Sequence, residues 1–395
     1  MKKKILFVMN NLNCGGAEKS LLSLLQTIDL SKFDVDLYLF KHEGIFFDKL
    51  PEAVHILEEP TGYRYFDMSI RKAVYSCLKS GNVKLALSRI VAGFILSTEK
   101  NAARREQRVW KYLSVGLPAL QQKYDAAIGF LEKNPVYFCI EKVQANQKIG
   151  FIHNDYDKLQ MDSRIDFPFF TKLDHLVTVS DGCGEVLNQR FPQFKQKIKI
   201  IHNIISPPII HKMSTERMDV DINAGHGISI VSIGRLTSQK GFEMAIGACK
   251  TLVEQGYDLN WYVIGEGEER IHLEKLIDSY GLDRYFHLIG LKENPYPYIQ
   301  NADIYVQPSR FEGKSISIDE AKILQKPIVV TNFSTARDQI IHKQNGLIVE
   351  MNAASLSEGI KQLIDDKEMR IYLKEQLALE KLGSELEIEK LYALI

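Results

Sequence analysis

Gln307 to Asn332 reads QPSRFEGKSISIDEAKILQKPIVVTN, and the order of its patterns decides the fold. The apolar run Ile304–Gln307 just before it reads as a buried strand. Pro308 and Ser309 then lead into a polar loop ending in Glu312-Gly313-Lys314-Ser315. A helix containing Glu320 follows, and Pro327–Val330 reads as the next strand. Strand, loop, helix and strand in succession belong to a parallel α/β fold, where strand C-termini and helix N-termini hold ligands. Unpaired N–H groups and the helix dipole attract phosphate there. Gly313 has no side chain to block a close approach. Glu312 and Glu320 are eight residues apart, about two helical turns. Both carboxylates face the same cleft if the helix starts near Ser315, where they accept hydrogen bonds from a hydroxyl-rich ligand.

The same alternation extends along the chain in both directions. Toward the N-terminus, Ile5–Met9 reads as a strand. A glycine-containing loop and a helix from about Ala17 follow, with Ala17, Leu21, Leu24, Leu25 and Ile28 at helical spacing. Val35–Phe40, Ala126–Phe130, Ile149–Ile152 and Leu176–Ser180 complete a first series of strands. Around residues 203–227 the pattern breaks at Pro207-Pro208, which reads as an interdomain linker. A second series then begins with Ile228–Ile233, Leu259–Ile264 and Phe286–Ile289. It continues through Ile304–Gln307, Pro327–Val330 and Gly346–Val349. The expectation is α/β, with two Rossmann-like domains facing across a cleft. Residues 1–204 form the first domain and 205–380 the second, and 381–395 form a C-terminal helix.

Composition narrows the class. At 395 residues the chain is long enough for two domains with their own cores. The five cysteines are far apart and form no C-x-x-C pair, which excludes a disulfide framework and fits a reducing compartment. The five-residue apolar run after the N-terminal lysines is shorter than the roughly 7–15 residues a secretory signal needs. No stretch reaches the roughly 18 apolar residues of a membrane span.

Formal net charge is zero, yet residues 64–123 hold twelve Lys/Arg against three Asp/Glu. Within them, segment 83–111 reads as a long basic and partly apolar helix. It either packs on its own domain or lies on an anionic membrane surface. Aromatic residues are not interleaved with its cations, so nucleic acid is not the expected partner.

Further chemistry lies upstream of the deciding stretch. In SIGRLTSQKGFE, Arg235 and Lys240 follow a strand and precede a helix, a placement suited to neutralising a diphosphate. YVIGEGEER carries Gly265 and Gly267 after another strand, but Arg270 breaks the G-x-G-x-x-G dinucleotide fingerprint. Asp34-Val-Asp36 and Asp219-Val-Asp221 imitate a metal-binding D-x-D. The first alternates within a strand and the second lies in the linker, so no metal site is expected. Cys14 has no local base to activate it and reads as packing.

Taken together, GRL-x3-KG-x-E, VIGEGEE, NADIYVQPSRFEG and EAKILQKPIVVT resemble glycosyltransferase family 4, of GT-B architecture. GGAEKSLLSL and IHNDYD near the N-terminus are similar too. The resemblance implies a retaining, metal-independent transferase with a nucleoside-diphosphate sugar as donor, most often UDP-linked, and no other cofactor. Arg235 and Lys240 would hold the diphosphate, Glu312 would contact the sugar, and Glu320 would accept from the ribose. Gly313, Lys314, Ser315 and Gly265 would line the donor site. His153 would reach the sugar from the N-terminal side, where Gly15 and Gly16 let a loop approach donor or acceptor. The acceptor would be a glycan or a polyprenyl-diphosphate-linked saccharide of cell-surface polysaccharide assembly. The enzyme would be cytoplasmic, with the basic segment offering a peripheral place on the inner face of the membrane. This sequence has Gly313-Lys314-Ser315 where the family often has Gly, an aromatic residue and Pro, so the resemblance does not name the donor sugar. A UDP-sugar 2-epimerase and a non-catalytic nucleotide-binding subunit are the alternatives.

Overall fold

The computed structural model describes residues 2–13, 15–222 and 227–395, so Cys14 lies outside the described residues. The chain divides into two compact units. One is built from Met1–Asn13, Ala17–His202 and Glu387–Ile395, the other from Asn203–Leu386 together with the short segment that holds Gly15 and Gly16.

The first unit contains strands β1 (Lys3–Met9), β2 (Phe33–Leu39), β3 (His55–Ile56), β4 (Lys123–Gly129), β5 (Gln144–Ile152), β6 (His175–Thr178) and β7 (Ile198–Ile200). They form one sheet in the order β3-β2-β1-β4-β5-β6-β7, with every neighbouring pair parallel. Its helices are α1 (Gly16–Thr27), α2 (Arg64–Asp67), α3 (Ile70–Lys79), α4 (Val83–Thr98), α5 (Ala102–Leu113), α6 (Asn134–Lys142), α7 (Ser163–Phe170) and α8 (Asp181–Arg190). Parallel strands covered on both faces read as unbroken apolar runs, and Ile5–Met9 is accordingly fully buried. Each such side chain contributes roughly 1.5–3 kcal/mol when removed from water. The sheet packs through Leu6, Val8 and Tyr38 on Trp110, Tyr137 and Phe138.

A buried carboxylate, Asp166, fastens three of these helices together. It accepts from Tyr137, from Tyr156 Oη at 2.5 Å and from Gln107 Nε2 at 2.7 Å.

The second unit contains β8 (Ile228–Ile233), β9 (Leu259–Ile264), β10 (Phe286–Leu288), β11 (Ile304–Gln307), β12 (Ile328–Thr331) and β13 (Leu347–Val349). The sheet order is β10-β9-β8-β11-β12-β13, again all parallel. Helices α9 (Pro207–Ser214), α10 (Phe242–Glu254), α11 (Arg270–Ser279), α12 (Tyr296–Asn301), α13 (Ile316–Ile323), α14 (Ala353–Asp365) and α15 (Lys367–Leu379) belong to this unit. One face of its sheet buries Trp261, Ile304 and Val329 with Phe242, Ile246, Leu356 and Ile360. The other buries Val231, Tyr305 and Val330 with Tyr298, Ile299 and Ile318. The unit is therefore a three-layer sandwich, and each unit is Rossmann-like.

The C-terminal helix α16 (Glu387–Tyr392) packs in the first unit. Tyr392 Oη accepts from the Asp29 N–H at 2.7 Å, and Glu387 Oε2 from the His202 N–H at 2.8 Å.

Two expectations change. Pro207 and Pro208 do not prevent a helix; they occupy the first turn of α9, where a missing N–H costs nothing and the fixed φ suits helix entry. Segment 83–111 is not one helix. It breaks after Thr98 and restarts at Ala102, with Asn101 capping the Arg104 N–H at 2.8 Å.

Candidate functional site

The strand order of the second unit reverses between β8 and β11. At such a switch point the following loops leave in opposite directions and open a crevice at the strand C-termini. Arg235 follows β8 there and is exposed, while Pro308–Ser315 follows β11.

The two loops are fastened to each other. The Arg310 N–H donates to the Gln239 carbonyl at 2.8 Å, and Gln239 Nε2 donates to the Phe311 carbonyl at 2.9 Å. Arg310 also donates to the Ser238 carbonyl at 2.8 Å and pairs with Glu243. Gly241, at φ +65°, allows this approach, since a Cβ there would lie 2.2 Å from the Pro308 carbonyl oxygen. Lys240 is thereby held with its Nζ 2.5 Å from Glu312 Oε1.

Glu312 is 5% exposed and sits at the end of a buried polar chain. Tyr305 Oη donates to Gln307 Oε1 at 2.6 Å, and Gln307 Nε2 donates to Ser309 Oγ at 2.8 Å. Ser309 Oγ donates to Glu312 Oε1 at 2.6 Å. Lys240 and Ser309 thus converge on one carboxylate oxygen, and Oε2 takes neither bond.

Glu320 lies on α13, only 1% exposed, and accepts from Tyr296 Oη at 3.2 Å. Burial raises the Tyr305 phenol well above its ordinary range, and the charges of Glu320 and Glu312 add to this. Both carboxylates therefore act on the same buried ring.

Helix α13 begins at Ile316, after Ser315 in extended conformation. The Ser315 N–H donates to Gln339 Oε1 at 2.9 Å, and Gln339 Nε2 returns a bond to the Ser315 carbonyl at 2.8 Å. Lys314 Nζ lies 3.6 Å from Asp319. Gly265 follows β9 directly, and a Cβ there would come within 1.9 Å of the Gly234 carbonyl oxygen. Its lack of a side chain lets the β9 loop press on the Gly234-Arg235 turn. The second unit therefore gathers Arg235, Lys240, Glu312, Gly313, Lys314, Ser315 and Gly265 at the C-terminal edges of β8, β9 and β11, with Glu320 in the adjoining helix.

His153, Gly15 and Gly16 follow strands of the first sheet. A Cβ on Gly16, the first residue of α1, would meet nothing within 4 Å, so packing does not demand glycine there. His153 is buried after β5 beside the Phe130 and Phe151 rings, whose centroids lie 4.9 and 5.7 Å away. Its backbone N–H donates to Glu132 Oε2 at 3.1 Å. Burial pushes the imidazole down to about 4, opposed by the Glu132 charge and a bond to the Phe130 carbonyl. The ring is neutral at pH 7. Its Nε2 is buried and has no partner among the described residues, which makes it an acceptor when Nδ1 carries the proton.

The D-x-D imitations have other roles. Asp36 accepts from Tyr124 Oη at 2.7 Å and lies 3.0 Å from His55 Nδ1. Asp219 binds Tyr298 and Lys292. Among the described residues no group of three His, Cys, Asp or Glu is placed to hold a metal ion. Sequence reasoning missed Gln307, Ser309, Gln239, Arg310 and Gln339, which fasten the loops. The signal available was a polar glutamine closing the otherwise apolar strand β11.

Two Rossmann-like units, each with an all-parallel sheet, are the GT-B architecture. Residues 216–378 match the family described as Glycosyl transferases group 1. It is 25% identical over 375 residues to the N-acetylgalactosamine-N,N'-diacetylbacillosaminyl-diphospho-undecaprenol 4-alpha-N-acetylgalactosaminyltransferase of Campylobacter jejuni, covering 94% of this chain and 92% of that one. An uncharacterized glycosyltransferase of Methanocaldococcus jannaschii is 26% identical over 175 residues, 44% of this chain; the match spans less than half, 43%, of that relative's length. The crystal structure of HepE from Anabaena in complex with UDP-glucose shares the fold, with a TM-score of 0.72 at 15% identity, covering 99% of this chain and 100% of that one.

Proposed function

We propose that the chain is a retaining transferase that moves a sugar from a UDP-sugar to a glycan or polyprenyl-diphosphate-linked acceptor during bacterial surface-polysaccharide assembly. The observation that carries this reading is the Lys240–Glu312 pair at the switch point, with exposed Arg235 on the facing loop. A sugar diphosphate needs a cation at its phosphates and a carboxylate at its hydroxyls, and these two loops present both. UDP-glucose in the HepE structure and the diphospho-undecaprenol substrate named for the Campylobacter relative support the donor and acceptor classes.

In this reading Arg235 and Lys240 stabilise the diphosphate as its charge grows. The acceptor oxygen bonds to the anomeric carbon as the bond to the diphosphate oxygen breaks. Attack comes from the same face, and the acceptor proton passes to the departing oxygen, so configuration is retained. Glu312 orients the sugar, Glu320 serves the ribose, and neutral His153 accepts from a sugar hydroxyl through Nε2. Gly313, Lys314, Ser315 and Gly265 shape the donor site, and Gly15 and Gly16 let the loop after β1 come close to donor or acceptor. With two cations at the phosphates, the reaction needs no metal.

The test is a thermal-shift titration with UDP, GDP and a panel of UDP-sugars in EDTA, on wild type and Arg235→Ala. A ligand at 100 times its dissociation constant stabilises by about 2.7 kcal/mol. UDP and one UDP-sugar should stabilise wild type and not the variant, and that sugar should reach a lipid-linked acceptor with retained configuration. Inverted product, or interconversion of free UDP-sugars without an acceptor, overturns the proposal.

A further inference from the structure

The helical hairpin α3–α4 shows its apolar side to solvent. Val83, Leu87, Ile90, Val91 and Phe94 recur at intervals of three and four, so they share one face of α4. That face is exposed, with Leu87 at 60% and Phe94 at 68%. On the neighbouring helix α3, Tyr75, at 69%, and Leu78 are exposed as well. The opposite face of α4, through Leu85, Ala86, Ala92 and Gly93, is buried. A helix apolar all round is ordinarily covered on every side, and a contiguous apolar surface marks an interaction site.

The charges around this strip are of one sign. No Asp or Glu occurs from Met68 to Thr98. Arg89 turns inward and donates to the Tyr65 and Met68 carbonyls at 2.8 and 2.7 Å, clasping α4 to the C-terminal end of α2. Arg71, Lys72, Lys79 and Lys84 are exposed. The helices run antiparallel about the turn at Gly81, with Ile70 lying over Gly93. Lys79 and Lys84 therefore stand at the turn end of the strip, and Arg71 and Lys72 at the other. The cations bracket the apolar surface instead of forming a separate basic face of the helix.

We propose that this hairpin docks on an anionic lipid bilayer, with Leu87, Ile90, Phe94 and Tyr75 entering the acyl boundary and the bracketing cations meeting lipid phosphates. Aliphatic residues beside cations suit that boundary and do not stack on bases as nucleic acid requires. A two-fold dimer through the same patch would set like charges against each other. The inference is independent of the donor chemistry, because it concerns other residues and is read without turnover.

The experiment is flotation of the full chain with phosphatidylcholine vesicles, with and without phosphatidylglycerol. Three proteins are compared: wild type, Leu87→Gln/Phe94→Gln, and Lys72→Glu/Lys79→Glu/Lys84→Glu. Wild type should bind only the anionic vesicles and release them in high salt. The apolar pair should weaken binding at least ~10-fold, and the charge reversals ~100-fold, from roughly fivefold per basic residue. All substituted side chains are exposed, so melting temperatures should be unchanged, and either variant tests the idea if the other folds poorly. Equal binding to neutral vesicles, no vesicle binding, or unchanged binding by both variants overturns the proposal. So does a solution dimer that Leu87→Gln/Phe94→Gln dissociates without any vesicle binding.

Discussion

Lys240 Nζ donates to Glu312 Oε1 across 2.5 Å, and this bond adds a charged link to those by which Gln239 and Arg310 already join the loop after β8 to the loop after β11. Each partner neutralises the other's charge in a setting that is mostly shielded from water. The carboxylate is thereby fixed before any ligand arrives, which is what preorganised electrostatic catalysis requires.

Replacing either partner should separate chemistry from donor binding. Glu312→Ala should lower kcat on the order of 10²-fold or more, while UDP still raises the melting temperature. Lys240→Ala should weaken UDP stabilisation itself, because a charge-assisted bond to phosphate is lost. Transfer kinetics beside a UDP melting series decide the matter. Equal loss of UDP binding in both variants would show that the pair acts as a single structural clasp.

Ser309 is expected to act through Glu312. Its hydroxyl is fully buried between Gln307 Nε2 and Glu312 Oε1. Ser309→Ala leaves both partners short of a bond, a cost of about 1–3 kcal/mol in stability. It also frees the carboxylate to rotate. The expected signature is a fall in kcat with UDP affinity retained and the pH profile unchanged. Ser309→Thr, which keeps the hydroxyl, should recover part of the loss. A variant with wild-type kcat would mean that Lys240 alone orients Glu312.

The order of elements was legible because strands buried on both faces are written as apolar runs, as in Ile228–Ile233 and Leu259–Ile264. Where that pressure is absent the signal fades. Strand β3 is two residues at the sheet edge, and β7 is three with an exposed middle residue, so neither stood out. Pro207-Pro208 looks like a breaker in sequence because proline's meaning depends on whether it enters a helix or interrupts one. In segment 83–111 the spacing showed helix but not which side faces the core. At the site, the charged residues and glycines were legible from their motif. The bonds that aim them were not, since Gln239 to Phe311 and Ser315 to Gln339 join positions 72 and 24 residues apart. Spacing along one element carries no trace of such a bond.

Gly265→Ala should destabilise the second unit without touching a charged group. A methyl there would sit 1.9 Å from the Gly234 carbonyl oxygen, which is backbone and cannot swing aside. Overpacking of this kind costs typically about 1–3 kcal/mol. The displaced turn carries Arg235, so UDP stabilisation should fall as well. Gly16→Ala is the control, because a Cβ at Gly16 would meet nothing within 4 Å. Urea melts of the two variants should differ by the full effect. Equal stability would mean that the β9 loop yields where the close approach says it cannot.

His153 gives the protein an acid-sensitive step whose sign follows from its burial. Its folded-state value of about 4 lies below the ordinary 6.5 because the charged ring has lost water. The unfolded chain therefore binds the proton first as pH falls. The associated stability is fully present above 6.5 and is lost progressively down to about 4. That gap corresponds to roughly 3 kcal/mol. Urea melts at pH 7, 5.5 and 4.5 should show wild type losing stability faster than His153→Gln, which has nothing to titrate. His175, His287 and His342 are also lowered, but both proteins share them, so the difference isolates His153. Parallel losses in the two proteins would mean that His153 protonates in place, taking up the charge beside Glu132 without cost to the fold.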